Sequence, residues 1–166
     1  MNYASIRSMD ISNGLNIGIS LFVSGCRNHC KGCFNSEAWD FKFGKEFTPD
    51  IKNKIIELSN KPYIKRFSIL GGEPMEPENA TEILPLVEEF KESYPDKNIW
   101  IYSGYLYENL MKDKITSAIL GKCDVLVDGK YEEDKRDLSL KFRGSSNQRI
   151  IDLKESTPNN IVLLNL

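Results

Sequence analysis

Apolar and polar residues alternate loosely from residue 3 to 23, and Ser12-Asn13-Gly14 interrupts the run. A period near two, broken by a turn signal, predicts two extended segments. The second ends in Ile19-Ser20-Leu21-Phe22-Val23. Thr48-Pro49-Asp50 reads as a helix start, with Thr48 as N-cap, Pro49 at the first helical position and an acid in the first turn, and the helix runs to Leu58. Arg66-Phe67-Ser68-Ile69-Leu70 reads as a short buried strand. A helix from about Pro77 carries Ile83, Leu84, Leu86, Val87 and Phe90 on or near one face. A strand over 98–102, a helix over 106–120 and a strand over 124–127 complete the pattern.

The order β-α-β-α-β-α-β is the signature of parallel strands joined by right-handed crossovers, so the fold class is α/β. A closed eightfold barrel needs ~250 residues. With 166, the chain is expected to form one domain, residues 1–166, built as a partial, open (β/α) barrel. In such a sheet functional residues gather at the carboxyl ends of the strands. The loops expected there are the cysteine segment described below, Gly71-Gly72-Glu73-Pro74, Ser103-Gly104-Tyr105 and Asp128-Gly129-Lys130.

Composition narrows the function classes. Hydrophobic residues make up 40% of the chain, enough for one core, and 22 basic against 24 acidic residues give a net charge of −2. Nothing in that balance draws a polyanion, so nucleic acid is not an expected partner. No apolar run approaches the ~20 residues of a membrane span, and a basic start followed by an apolar signal region is absent. A cytoplasmic location is expected, where clustered thiols stay reduced. Lys130 to Lys141, dense in mixed charge, reads as a surface loop. Trp39, Phe41, Phe43 and Phe47 read as one aromatic patch covering the core or the site.

Three of the four cysteines lie within Cys26-Arg27-Asn28-His29-Cys30-Lys31-Gly32-Cys33, directly after the second extended segment. Soft thiolates at C-x3-C-x2-C spacing favour zinc, copper(I) or an iron-sulfur cluster. A closed zinc site takes four ligands, so zinc would recruit His29 or Cys123. A [4Fe-4S] cube on Cys26, Cys30 and Cys33 alone leaves one iron open to a chelating small molecule. Gly71-Gly72-Glu73-Pro74 lets main chain approach a ligand closely, and its carbonyls with the Glu73 carboxylate can accept from an ammonium group. It also reads as an ordinary strand-to-helix turn.

The cysteine spacing resembles that of the radical S-adenosylmethionine (SAM) enzymes, and Gly71-Gly72-Glu73 resembles the motif with which they hold the amino group of SAM. Further segments recur in order: Met1-Asn2-Tyr3, Asp10-Ile11 with Asn13-Gly14, Leu21 to Cys26, Cys30 to Asn35, Trp100 to Tyr105, Val125 to Lys130 and Arg143-Gly144-Ser145-Ser146-Asn147-Gln148. Together they resemble the family of activating proteins of anaerobic (class III) ribonucleoside-triphosphate reductases. One segment departs from that family: Gly14-Leu15-Asn16-Ile17-Gly18 stands where relatives often carry Gly-Pro-Gly-x-Arg, which puts glycine at the arginine position.

The resemblance implies a barrel of the radical SAM type and a [4Fe-4S] cluster on Cys26, Cys30 and Cys33. It also implies SAM contacts from Gly32, Cys33, Phe34, Gly71, Gly72 and Glu73. A reduced cluster passes an electron to the sulfonium of SAM, yielding methionine and a 5'-deoxyadenosyl radical, and that radical removes a hydrogen atom from a glycine Cα of the partner reductase's large subunit. No side chain is then expected to serve as general acid or base, and a low-potential donor such as flavodoxin supplies the electron. Arg143 to Gln148 is expected to contact the partner or close the pocket. The alternatives are an activase of another glycyl radical enzyme, of the pyruvate formate-lyase type, and a non-catalytic zinc-binding module.

Overall fold

The structure is a computed structural model that describes residues 1–166. Its strands are β1 (Asn2–Asp10), β2 (Gly18–Val23), β3 (Lys45–Glu46), β4 (Arg66–Gly71), β5 (Asn98–Ser103), β6 (Val125–Asp128) and β7 (Arg149–Asp152). The helices are α1 (Pro49–Leu58), α2 (Pro77–Ser93), α3 (Tyr107–Leu110) and α4 (Lys114–Lys122). All strands join one mixed sheet in the order β3-β1-β2-β4-β5-β6-β7. The neighbours β2, β4, β5 and β6 run parallel, while β1, β3 and β7 are antiparallel additions at the two ends. The sheet is not closed, as expected of an α/β chain too short for a full barrel.

The parallel strands form where expected because they are buried on both faces, and burial on both faces needs near-continuous apolar runs. On one face Ile19, Leu21, Phe67, Ile69, Ile99, Ile101 and Leu126 meet Ile55, Ile83, Leu86, Val87, Phe90, Ile119 and Leu120 of the helices. The other face has no helix on it; Trp100, Val125, Val127 and Ile150 pack there with the partly buried Phe142 and Leu164. That face also carries a buried polar cluster. Arg66, with no exposed surface, donates to the carbonyls of Asp10, Leu15 and Asn16 and to the Ser68 hydroxyl. It thereby pins the β1–β2 hairpin to the sheet.

Helix α1 begins as expected, with Ile51 N donating to the Thr48 hydroxyl. The helix expected over 106–120 is instead two, α3 and α4. Asp113 causes the break: its carboxylate accepts from the amides of Ile115 and Thr116 and caps a new helix. The expected strand over 124–127 lies one residue later, and β7 was not expected at all. β7 is held by Arg149, which pairs with the fully buried Asp128 at 2.5 Å and with Glu108 at 2.9 Å. The aromatic patch also divides: Phe47 joins the main core edge-to-face with Tyr3, whereas Trp39 and Phe41 support the cysteine loop.

Candidate functional site

The carboxyl ends of β2, β4, β5 and β6 open onto one cavity of about 200 Å³. Cys26, Cys30, Cys33 and Phe34 form one wall, Gly71, Gly72 and Glu73 a second, and Ser103 with Gly104 a third; Gly129 to Tyr131 and Arg143, Gly144 and Gln148 complete it. The structure therefore brings together every expected site residue but one. Gly32 is exposed at the tip of the loop, where its Cα faces the Glu133 side chain.

The cysteine loop is stitched to its neighbours through main chain. Gly25 N donates to Ala38 O at 2.7 Å, Cys26 N to Trp39 O at 3.1 Å and Glu73 N to Gly25 O at 2.7 Å. The contact at Gly72 is close enough to demand glycine: a Cβ there would stand 2.7 Å from Gly25 O and 2.9 Å from Ala38 O. The close approach that the two glycines permit is thus first of all an approach to the chain's own cysteine loop. Two buried acids finish the attachment. Glu76 accepts from Arg27 N and from the Tyr105 hydroxyl, both at 2.7 Å.

Glu73 is the centre of the polar arrangement. One carboxylate oxygen accepts from Met75 N (2.9 Å) and the Ser103 hydroxyl (2.8 Å), the other from Gly104 N (2.7 Å) and the Asn28 amide (3.1 Å). The side chain is 1% exposed, and burial pushes its pKa up to about 7 against the pull of those hydrogen bonds. One carboxyl thus ties three strand-end loops together. Sequence reasoning assigned Glu73 to a ligand; of its four internal partners Met75 is local, whereas Asn28, Ser103 and Gly104 come from loops distant in the chain.

Burial also pushes the thiols of Cys26 and Cys30 above the ordinary range, opposed by backbone hydrogen bonds from Asn28 and His29 to Cys26 and from Tyr131 to Cys30. Asn35 N donates to Cys33 Sγ at 3.4 Å. Thiols so placed become thiolates when a metal supplies the positive charge. The same amides would then tune the potential of an iron-sulfur cluster. The donor set fits a three-thiolate cluster. Cys123 is buried in the main core beside Asp124 and lines no part of the cavity, and His29 stacks on Trp39 at 4.3 Å. Neither lines the cavity, and no three His, Cys, Asp or Glu side chains converge closely enough to hold a single metal ion.

The Arg143 to Gln148 segment closes the far side. Gln148 donates to Gly129 O at 2.9 Å and accepts from the amides of Gly144 and Ser145, so the loop is fastened across the end of β6. No helix is long and apolar enough to cross a membrane.

Residues 12–151 match the family model of the 4Fe-4S single cluster domain. The anaerobic ribonucleoside-triphosphate reductase-activating protein of Pasteurella multocida is 41% identical over 152 residues, which span 90% of this chain and 96% of that protein. The protein of the same name from Escherichia coli K12 is 39% identical over 156 residues, 93% of this chain and all of the relative. That of enterobacteria phage T4 is 36% identical over 150 residues, 90% and 93% of the two chains. Identity at this level along nearly the whole length places the chain in the family of anaerobic ribonucleoside-triphosphate reductase-activating proteins.

Proposed function

We propose that the protein activates an anaerobic ribonucleoside-triphosphate reductase by radical SAM chemistry, generating a glycyl radical on the reductase large subunit. The observation that carries this reading is the cavity itself. Cys26, Cys30 and Cys33 stand in one wall and Gly71-Gly72-Glu73 in the adjoining one, with no fourth cysteine among the lining residues. When bound, a [4Fe-4S] cluster and SAM supply reductive cleavage of the sulfonium and the adenosyl radical that takes hydrogen from glycine.

The chain's own residues have defined parts. Cys26, Cys30 and Cys33 hold the cluster, and the Asn35 amide donates to the Cys33 sulfur. Gly71 and Gly72 offer main chain to the methionine end of SAM, and Glu73 sets the turn that presents them and places negative charge near the ammonium. Phe34, 64% exposed, stands at the mouth with its ring 5.3 Å from Tyr131, ready to cover the ligand. Gly32, outside the cavity lining, serves through its positive φ of 75°, which lets the loop turn between Cys30 and Cys33. Homolysis asks for no general acid or base, in keeping with a site whose carboxylates are engaged in holding loops. The open sheet amounts to a partial barrel of the radical SAM type, whose open flank a protein substrate covers. A low-potential, flavodoxin-like donor is the expected reductant.

Anaerobic reconstitution with iron and sulfide, followed by SAM, reductant and the reductase, tests the reading. The expected result is a glycyl radical seen by electron paramagnetic resonance, with deuterium passing from glycine-labelled reductase into 5'-deoxyadenosine. SAM cleavage without any radical on the reductase refutes the activase reading. A colourless protein with stoichiometric zinc refutes the chemistry altogether.

A further inference from the structure

The cavity shares part of its lining with a groove on the surface. Phe34, Asn35, Leu70, Tyr102, Arg143 and Gly144 line both the cavity and this groove of about 400 Å³, which lies between the β1–β2 hairpin and the segment around Phe142. These six residues form a neck between the cysteine cavity and the surface. Two polar atoms in the neck, the Tyr102 hydroxyl and Arg143 Nε, are buried and have no hydrogen-bond partner in the protein. A buried polar group left so costs about 1–3 kcal/mol, and native proteins rarely keep two in one place without a ligand for them. Arg143 makes no ion pair, and its Nη1 is committed to the carbonyl of Gln148, which fixes the guanidinium in position.

We propose that this neck reads peptide backbone: Arg143 Nε–H donates to a main-chain carbonyl of the reductase segment that carries the target glycine, and the Tyr102 hydroxyl pairs with a neighbouring main-chain group. The proposal rests on the activase reading above. Glycine offers no side chain to recognise, so a protein that selects one has only main-chain groups and the missing Cβ to work with. The neck supplies the matching chemistry, single polar atoms set among the apolar edges of Phe34 and Leu70. Its place between groove and cavity offers a chain a way to bring a Cα towards the cysteine wall. SAM held by the residues of the cysteine and Gly71-Gly72-Glu73 walls would lie on the inner side.

The test uses reconstituted, full-length protein carrying Arg143→Lys, which keeps the charge and loses Nε, or Tyr102→Phe, which removes only the hydroxyl. SAM affinity and the reductase concentration giving half-maximal glycyl radical are measured for each. The expected result is a rise of about tenfold in that concentration for Arg143→Lys and a smaller rise for Tyr102→Phe, with SAM affinity changed less than about twofold. Unchanged reductase dependence in both variants overturns the proposal, as does a parallel loss of SAM affinity, which assigns the atoms to the cofactor. Failure of the wild-type protein to form a radical is a separate outcome that removes the activase reading and this proposal with it.

Discussion

Gly18 and Arg66 face each other across the β2–β4 ladder, and the Arg66 guanidinium fills the space that a side chain at position 18 would occupy. A Cβ on Gly18 would stand 2.9 Å from Arg66 Cζ and 2.5 Å from Arg66 O. An arginine side chain at position 18 therefore has no room here. The adjacent strand provides a guanidinium instead, bonded to the hairpin carbonyls of Asp10, Leu15 and Asn16.

Arg66→Gly is expected to cost about 3 kcal/mol, because it strands buried acceptors, and to lower Tm by roughly 6–12 °C. Gly18→Arg alone should also destabilise, by crowding. The double variant should recover little of the summed loss, because the Cβ at position 18 still meets the main-chain oxygen of residue 66. A thermal-denaturation cycle measures this; recovery of most of the loss would show that the strands shift and the two positions can exchange the role.

Gly72→Ala is expected to lower both iron content and SAM affinity. The added Cβ meets backbone atoms of Gly25 and Ala38, which cannot move without displacing the cysteine loop. Iron analysis and SAM binding are compared with wild type after identical reconstitution. Full iron loading with normal affinity would mean that the loop contact is dispensable.

Cys123→Ala should leave the cluster intact. The thiol is 4% exposed in the helix-side core, and burial raises its pKa far above the ordinary range. The substitution should cost on the order of 1 kcal/mol in stability, with cluster absorbance and SAM cleavage near wild type. Loss of absorbance would make Cys123 a fourth ligand and defeat the open-iron arrangement.

Glu73 gives the protein a pH signature. Its pKa is raised by burial from about 4.5 to about 7 in the folded state, so between those values the folded chain holds a proton that the unfolded chain has lost. The resulting stabilisation is complete below about pH 4.5 and disappears as pH rises through 7, on the order of 3 kcal/mol in all. Glu73→Gln should flatten the stability profile of the cluster-free protein between pH 5 and 7. An unchanged slope in the variant would assign the titration to another group.

The parallel strands were readable because Leu21-Phe22-Val23, Ile69-Leu70, Ile99-Trp100-Ile101 and Val125-Leu126-Val127 are apolar at successive positions, a pattern that burial on both faces explains. The three cavity cysteines were readable because ligand spacing is local. The split between α3 and α4 was written at Asp113, a capping residue inside an apolar pattern that otherwise reads as one helix. β7 escaped because Arg149-Ile150-Ile151-Asp152 is too short to stand out, and its anchors, Asp128 and Glu108, lie on other elements. The burial of Arg66 and the bonds from Asn28, Ser103 and Gly104 to Glu73 are tertiary facts, invisible in any window of sequence.

The cavity is assembled from segments far apart in the sequence, since its first wall ends near Asn35 and its last is laid by Arg143 to Gln148. More than a hundred residues separate them. At a synthesis rate of about 5–20 residues per second, the three thiols leave the ribosome roughly 5–20 s before the wall that closes over them. During that interval they are open to oxidants and stray metals. Stalled nascent chains ending before β6 are therefore expected to react with thiol alkylating agents and to hold no iron, whereas released full-length chains loaded with iron should be protected.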